Sequence, residues 1–178
     1  MTIKTKIMKT IKKTIYLSLV CMALVVSGCS KSNDDDGAAA VPTGGSGGDE
    51  YLTAKVNGAT FEAAQTPAVI VSATVTNSVL TLHGGQNDGQ TIRATINGYS
   101  GAGTYTTGDG LGNTNSLSYI TISPVASWMS TFNIGSGTLN VSSDDGTTIM
   151  GTFSFDGFNA QDQTTKNITE GTFKATLE

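Results

Sequence analysis

Cysteine is almost absent: the 178-residue chain has 2, Cys21 and Cys29, both near its start. Everything after Cys29 lacks a thiol for a disulfide or a thiolate metal site, so the fold rests on packing alone. Histidine is equally scarce, with His83 the only one. That leaves too few ligands for a histidine zinc centre and one choice of base for a Ser-His-Asp triad. Basic residues are also short beyond position 29, where 5 stand against 14 acidic ones, a net charge of about −9. Such a surface repels phosphate backbones, so nucleic acid is not an expected partner. No apolar stripe at helical spacing follows residue 29, and Gly, Thr, Ser and Asn fill the gaps between apolar residues.

What is present begins with five lysines, Lys4, Lys6, Lys9, Lys12 and Lys13, ahead of an apolar run over residues 15–26. The run is short for a membrane span, and the small residues Ser27 and Gly28 follow it, which is the layout of a signal peptide. Val26-Ser27-Gly28-Cys29 resembles the lipobox of bacterial lipoproteins. The resemblance implies cleavage between Gly28 and Cys29, acylation of Cys29 with palmitate-type chains, and a membrane as first partner. Two or three chains at about 0.8 kcal/mol per buried methylene give durable anchoring where one is marginal. Residues 30–48, SKSNDDDGAAAVPTGGSGG, have little to bury and read as a flexible spacer with an end-to-end distance of roughly 25 Å. Asp34-Asp35-Asp36 resembles the acidic signal that sends some Bacteroidota lipoproteins to the outer face of the outer membrane; a solubilising linker accounts for it equally well. The expected organisation is therefore a leader over 1–28, a lipidated linker over 29–50 and one domain over 51–178.

Within that domain the period is two. Leu52, Ala54 and Val56 alternate with polar residues, Asn57-Gly58 signals a tight hairpin, and a strand around Phe61 follows. Residues 68–75 form a β-branched run suited to burial on both faces; 79–83 and 91–96 alternate with Leu80, Leu82, Ile92, Ala94 and Ile96 inward. The glycine-rich stretch 101–115 reads as loop with a small strand at 104–106. A strand over 117–122 is expected to stop at Pro124, with a weaker one over 127–133 carrying Trp128 and Phe132. Asp144-Asp145-Gly146 turns a hairpin whose second arm places Ile149, Phe153 and Phe155 on one face, and 172–177 closes the chain with Phe173, Ala175 and Leu177 inward. Nine or ten short strands predict an all-β, antiparallel sandwich, with an up-and-down, lipocalin-like barrel as the alternative.

Two stretches carry a resemblance: Ala54-Lys55-Val56-Asn57-Gly58 with Phe61 shortly after, and GTFSFDGFNAQDQTTKNITEGTFKATL over 151–177. They resemble Bacteroidota lipoproteins of unknown role whose domain opens on a V-N-G hairpin and closes on G-T-F-x-F, a loop and I-T-x-G-x-F. Phe61 stands where that pattern has tryptophan. The resemblance implies a compact β lipoprotein and supplies no catalytic residue and no cofactor.

The residues themselves suggest little chemistry. His83 lies on the polar face of its strand, and Gly135-Ser136-Gly137 reads as a turn. Asp144, Asp145, Asp156 and Glu170 are carboxylates that could form an acid-base pair only if folding brings two together. A loop calcium site from Asp88, Asp109 or Asp144 is the one metal alternative, since zinc and EF-hand patterns are absent. The aromatics Tyr99, Tyr105, Tyr119 and Trp128 offer stacking surfaces for sugars if exposed together and core filling if not. The expectation is a non-enzymatic, lipid-anchored domain at the outer membrane, binding a polysaccharide or envelope protein. The alternatives are a barrel carrying a small apolar ligand and a surface glycan-binding module.

Overall fold

The structure, a computed structural model, describes residues 50–64 and 71–178. The leader, Cys29, the linker and residues 65–70 lie outside it. Eleven strands are described: β1 Tyr51–Val56, β2 Ala59–Glu62, β3 Ser72–Thr76, β4 Val79–Gly85, β5 Thr91–Asn97, β6 Gly103–Thr107, β7 Ser116–Ile122, β8 Val125–Thr131, β9 Ser136–Asp144, β10 Thr148–Asn159 and β11 Thr164–Thr176. The domain is all-β, and its ladders are antiparallel.

All eleven strands share one sheet, ordered β2-β1-β11-β10-β8-β7-β5-β4-β3. The sheet forks at β10. One edge of that strand pairs with β11 along its length, while the other pairs first with β9, from Ile149 to Asp156, and then with β8 through Phe158 and Met129. β6 continues the fork from β9. The sheet curls until its ends meet: Ala73 bridges Leu177, and the amide of Ala64 donates to the carbonyl of Gly85 at 2.8 Å. The curl encloses one apolar core between facing parts of the same sheet, an intermediate between the two-layer sandwich and the closed barrel.

Local chemistry explains the elements. Asn57 and Gly58 have φ of 49° and 83°, the left-handed pair that a two-residue hairpin turn needs to match strand twist. The inward residues of β1, β4 and β5 are buried as their alternation requires. Gly151-Thr152-Phe153 and Gly171-Thr172-Phe173 prove to be paired with each other, Gly151 opposite Phe173 and Phe153 opposite Gly171. Each phenylalanine ring lies over the glycine across from it: a Cβ on Gly171 would fall 2.6 Å from the Phe153 ring, and one on Gly151 would fall 2.8 Å from that of Phe173. The repeated G-T-F triplet is thus a self-complementary clasp, in which each missing side chain makes room for a ring.

The strand expected over 117–122 stops before Pro124, which with Ser123 forms the tip of the β7–β8 hairpin, Ile122 opposite Val125. Three expectations need correction. Phe132 lies in the turn after β8, at φ 52° and 43% exposed, outside any strand. Of the run at 68–75, residues 68–70 lie outside the described residues; β3 begins at Ser72, and Val75 emerges at 38% exposed where β3 forms a sheet edge. The last strand begins at Thr164 and has 13 residues; its first half is polar on its outer face and carries Ile168 inward.

Candidate functional site

The four aromatics singled out in the sequence fall into two pairs at opposite ends of the sheet. Tyr119 on β7 and Trp128 on β8 are in register and face the core at 4% and 7% exposed, with ring centroids 5.7 Å apart. The Trp128 Nε1–H donates to Thr164 Oγ1 at 2.8 Å, and the Thr164 hydroxyl donates to Asp162 at 2.7 Å. The Tyr119 hydroxyl donates to Gln90 Oε1. Lys166 lies over both rings, its Nζ 4.5 Å from the Trp128 centroid and 5.8 Å from that of Tyr119, which closes this end with a cation on two π faces. Burial, and secondarily the charge of Asp88, raises the Tyr119 pKa.

Tyr99 and Tyr105 pair at the other end, with centroids 5.5 Å apart. The Tyr99 hydroxyl donates to Asp144 Oδ2 at 2.7 Å, and that of Tyr105 donates to the Gly101 carbonyl at 2.7 Å. Burial raises the Tyr99 pKa, and the hydrogen bond to Asp144 adds to the shift. Tyr119 stands opposite Ile92 near the start of β5, and Tyr99 follows the end of β5 at Asn97, so about 16 Å of strand lies between the pairs at 3.3 Å per residue. They form no common stacking platform; their rings fill the core and their polar tips find partners at its ends.

The acid and histidine candidates are dispersed. His83 stands on the outer face between Ser72 and Arg93, beside a cation instead of a carboxylate. Asp88 binds Gln90, Asp144 binds Tyr99 and the Gly146 amide, Asp156 accepts from Asn167, and Glu170 pairs with Lys55 at 2.8 Å. Among the described residues no group of three or more His, Cys, Asp or Glu is placed to hold a metal.

Three exposed carboxyls brace loops. Hydrogen bonds from Thr106 and then Asn113 lower the Asp109 pKa, the amides of Thr148 and Thr147 lower that of Asp145, and the hydroxyl and amide of Thr164 lower that of Asp162. A carboxyl whose folded pKa lies below its unfolded one adds stability above the unfolded value, about 3.9, and loses it as pH falls through the folded one. Thermal unfolding between pH 5 and pH 2 should therefore show Tm falling below about pH 4. The variant D109N/D145N/D162N should show a shallower fall; an unchanged slope would remove these loops from the account.

The sequence reading missed an exposed apolar surface. A groove of about 380 Å³ runs over the outer face of β7, β8 and β10, lined by Ile120, Val125, Met129, Ile134 and Phe158 among others, none of them charged. Val125 is 82% exposed and the adjacent Ile122 is 61% exposed. Once Pro124 is a hairpin tip, register alone puts Ile122 beside Val125, Ile120 beside Ser127 and Ser118 beside Met129, all on one face. Reading the strands on either side of Pro124 separately, without pairing them as a hairpin, hid that face.

One family profile, described as "Domain of unknown function (DUF6252)", matches residues 49–176. The chain belongs to this family. The match ends on the last residue of β11, so the DUF6252 region takes in every strand of the sheet, both aromatic ends and the apolar groove. Comparison with curated proteins gives no match, and comparison with solved structures gives none either.

Proposed function

We propose that this DUF6252 chain is a lipoprotein of the Bacteroidota type, cleaved before Cys29, acylated there and held at the outer membrane. There it acts by binding and not by catalysis. Val26-Ser27-Gly28-Cys29, placed between a lysine-rich apolar leader and an acidic spacer, carries the anchoring half of this reading. The groove of β7, β8 and β10 carries the binding half. In a chain with about −9 net charge after residue 29, an uncharged apolar trough favours an apolar segment of a neighbouring envelope protein over a charged one.

One experiment tests both halves: cells expressing the full-length protein are fed an alkynyl palmitate, with a photo-cross-linking amino acid in place of Gln161 on the groove wall. The expected result is a labelled protein in the membrane fraction with a discrete cross-linked adduct. C29A should lose label and membrane retention together. M129D should keep the label and lose the adduct, since a charge in the trough must be desolvated to admit an apolar partner. An unlabelled wild type sinks the anchor; a labelled protein whose adduct ignores M129D sinks the groove.

A further inference from the structure

A second groove, of about 390 Å³, lies on the outer face of β6, β9, β10 and β11, beyond the Ile134–Ser136 connection from the apolar one. Its character is the opposite. Thr106, Thr138 and Ser154 stand side by side across β6, β9 and β10, and Ser136, Asp156 and Asn167 form the adjoining row across β9, β10 and β11. Adjacent strands space these groups at about 4.7–4.9 Å. Among the described residues, the hydroxyls of Ser136, Thr138, Ser154 and Thr169 make no hydrogen bond within the protein, although all four line the groove. Beside the groove the β10–β11 register shifts between Phe153 and Phe155, and Glu170 opposite takes a left-handed φ of 53°, a bulge in β11.

From this geometry we infer a binding site for a neutral oligosaccharide. The groove offers hydroxyl, amide and carboxylate groups on a regular grid, each able to pair with a sugar hydroxyl. A pyranose ring is about as wide as one strand spacing, so a short glycan lying across the strands meets a new polar group at each. No Lys or Arg lines the groove, and Asp109 and Asp156 repel phosphate, sulfate and uronate, so the ligand carries no negative charge. Its volume falls in the range of ligand clefts. The site does not use the buried Trp128 and tyrosines, and it stands whether or not Cys29 is acylated.

The test applies the full-length protein, in a detergent without a sugar head-group, to an array of neutral, sulfated and uronate-containing glycans. Isothermal titration with the best soluble binder follows. Neutral glycans should bind, and T138V/S154A should weaken them about tenfold through the loss of two hydrogen bonds. D156N, which preserves shape, should weaken them by about the same factor, and V75A, an exposed position on the edge strand β3, should leave them unchanged. Circular dichroism establishes that each variant is folded. No binding to any neutral glycan, a preference for the anionic ones, or binding that survives both T138V/S154A and D156N would overturn the site.

Discussion

Phe173→Ala should destabilise the domain by about 3–5 kcal/mol, read as a fall in Tm of roughly 10–20 °C. The residue is 0% exposed and among the largest side chains that the fold buries completely. Its ring covers Gly151, which has no side chain to move into the space, so truncation leaves a cavity bounded by backbone on that side. The site cannot collapse, which places the cost at the upper part of the large-to-small range. Phe132→Ala is the control: that ring is 43% exposed in a turn, and its loss should change stability by no more than about 0.5 kcal/mol. A Phe173→Ala cost below about 1 kcal/mol, measured by urea unfolding, would show that the clasp does not hold the core.

Gly171→Ala tests the same clasp from the opposite side. Its φ is outside the left-handed region, so alanine can adopt the backbone and the effect is steric. The added Cβ would sit 2.4 Å from the Phe153 carbonyl oxygen and 2.6 Å from its ring. A backbone oxygen in a ladder cannot swing aside, so the cost should reach about 3 kcal/mol, the top of the usual overpacking range. Shrinking the ring should relieve part of the strain: Phe153→Ala combined with Gly171→Ala should cost less than the sum of the two by about 1 kcal/mol or more. Strict additivity would mean that ring and glycine do not interact.

The clasp also marks how far the sequence could be read. Period-two alternation and Asn57-Gly58 specify β1, β2, β4 and β5 almost completely, because burial on one face leaves a pattern that local chemistry can decode. The first half of β11 escapes that logic: over residues 164–171 only Ile168 is a large apolar side chain. That segment is a strand because β10 pairs with it through a short hairpin, Asn159 opposite Thr164, while β1, more than 100 residues away in the chain, joins its other edge only from Ile168 onward; neither pairing shows as an apolar alternation. The G-T-F repeat was visible as text, but its self-pairing was not. Neither groove was legible, since each depends on which strands become neighbours. The aromatics misled in the other direction: Trp128 and Tyr119 carry polar tips that suit a surface site, yet Thr164 and Gln90 meet those tips while the rings fill the core.

The pairing of β1 with β11 fixes an orientation as well as a fold. Tyr51 lies beside Lys174, whereas both grooves gather near Asp156 and Phe158, opposite the start of β11. Eight residues of strand, about 26 Å, separate Lys174 from Lys166. The chain thus enters the domain at the pole remote from its grooves, and a pull applied through Tyr51 passes to them across the β1–β11 and β11–β10 ladders. A tether on that pole would leave the two grooves on the side away from whatever holds it.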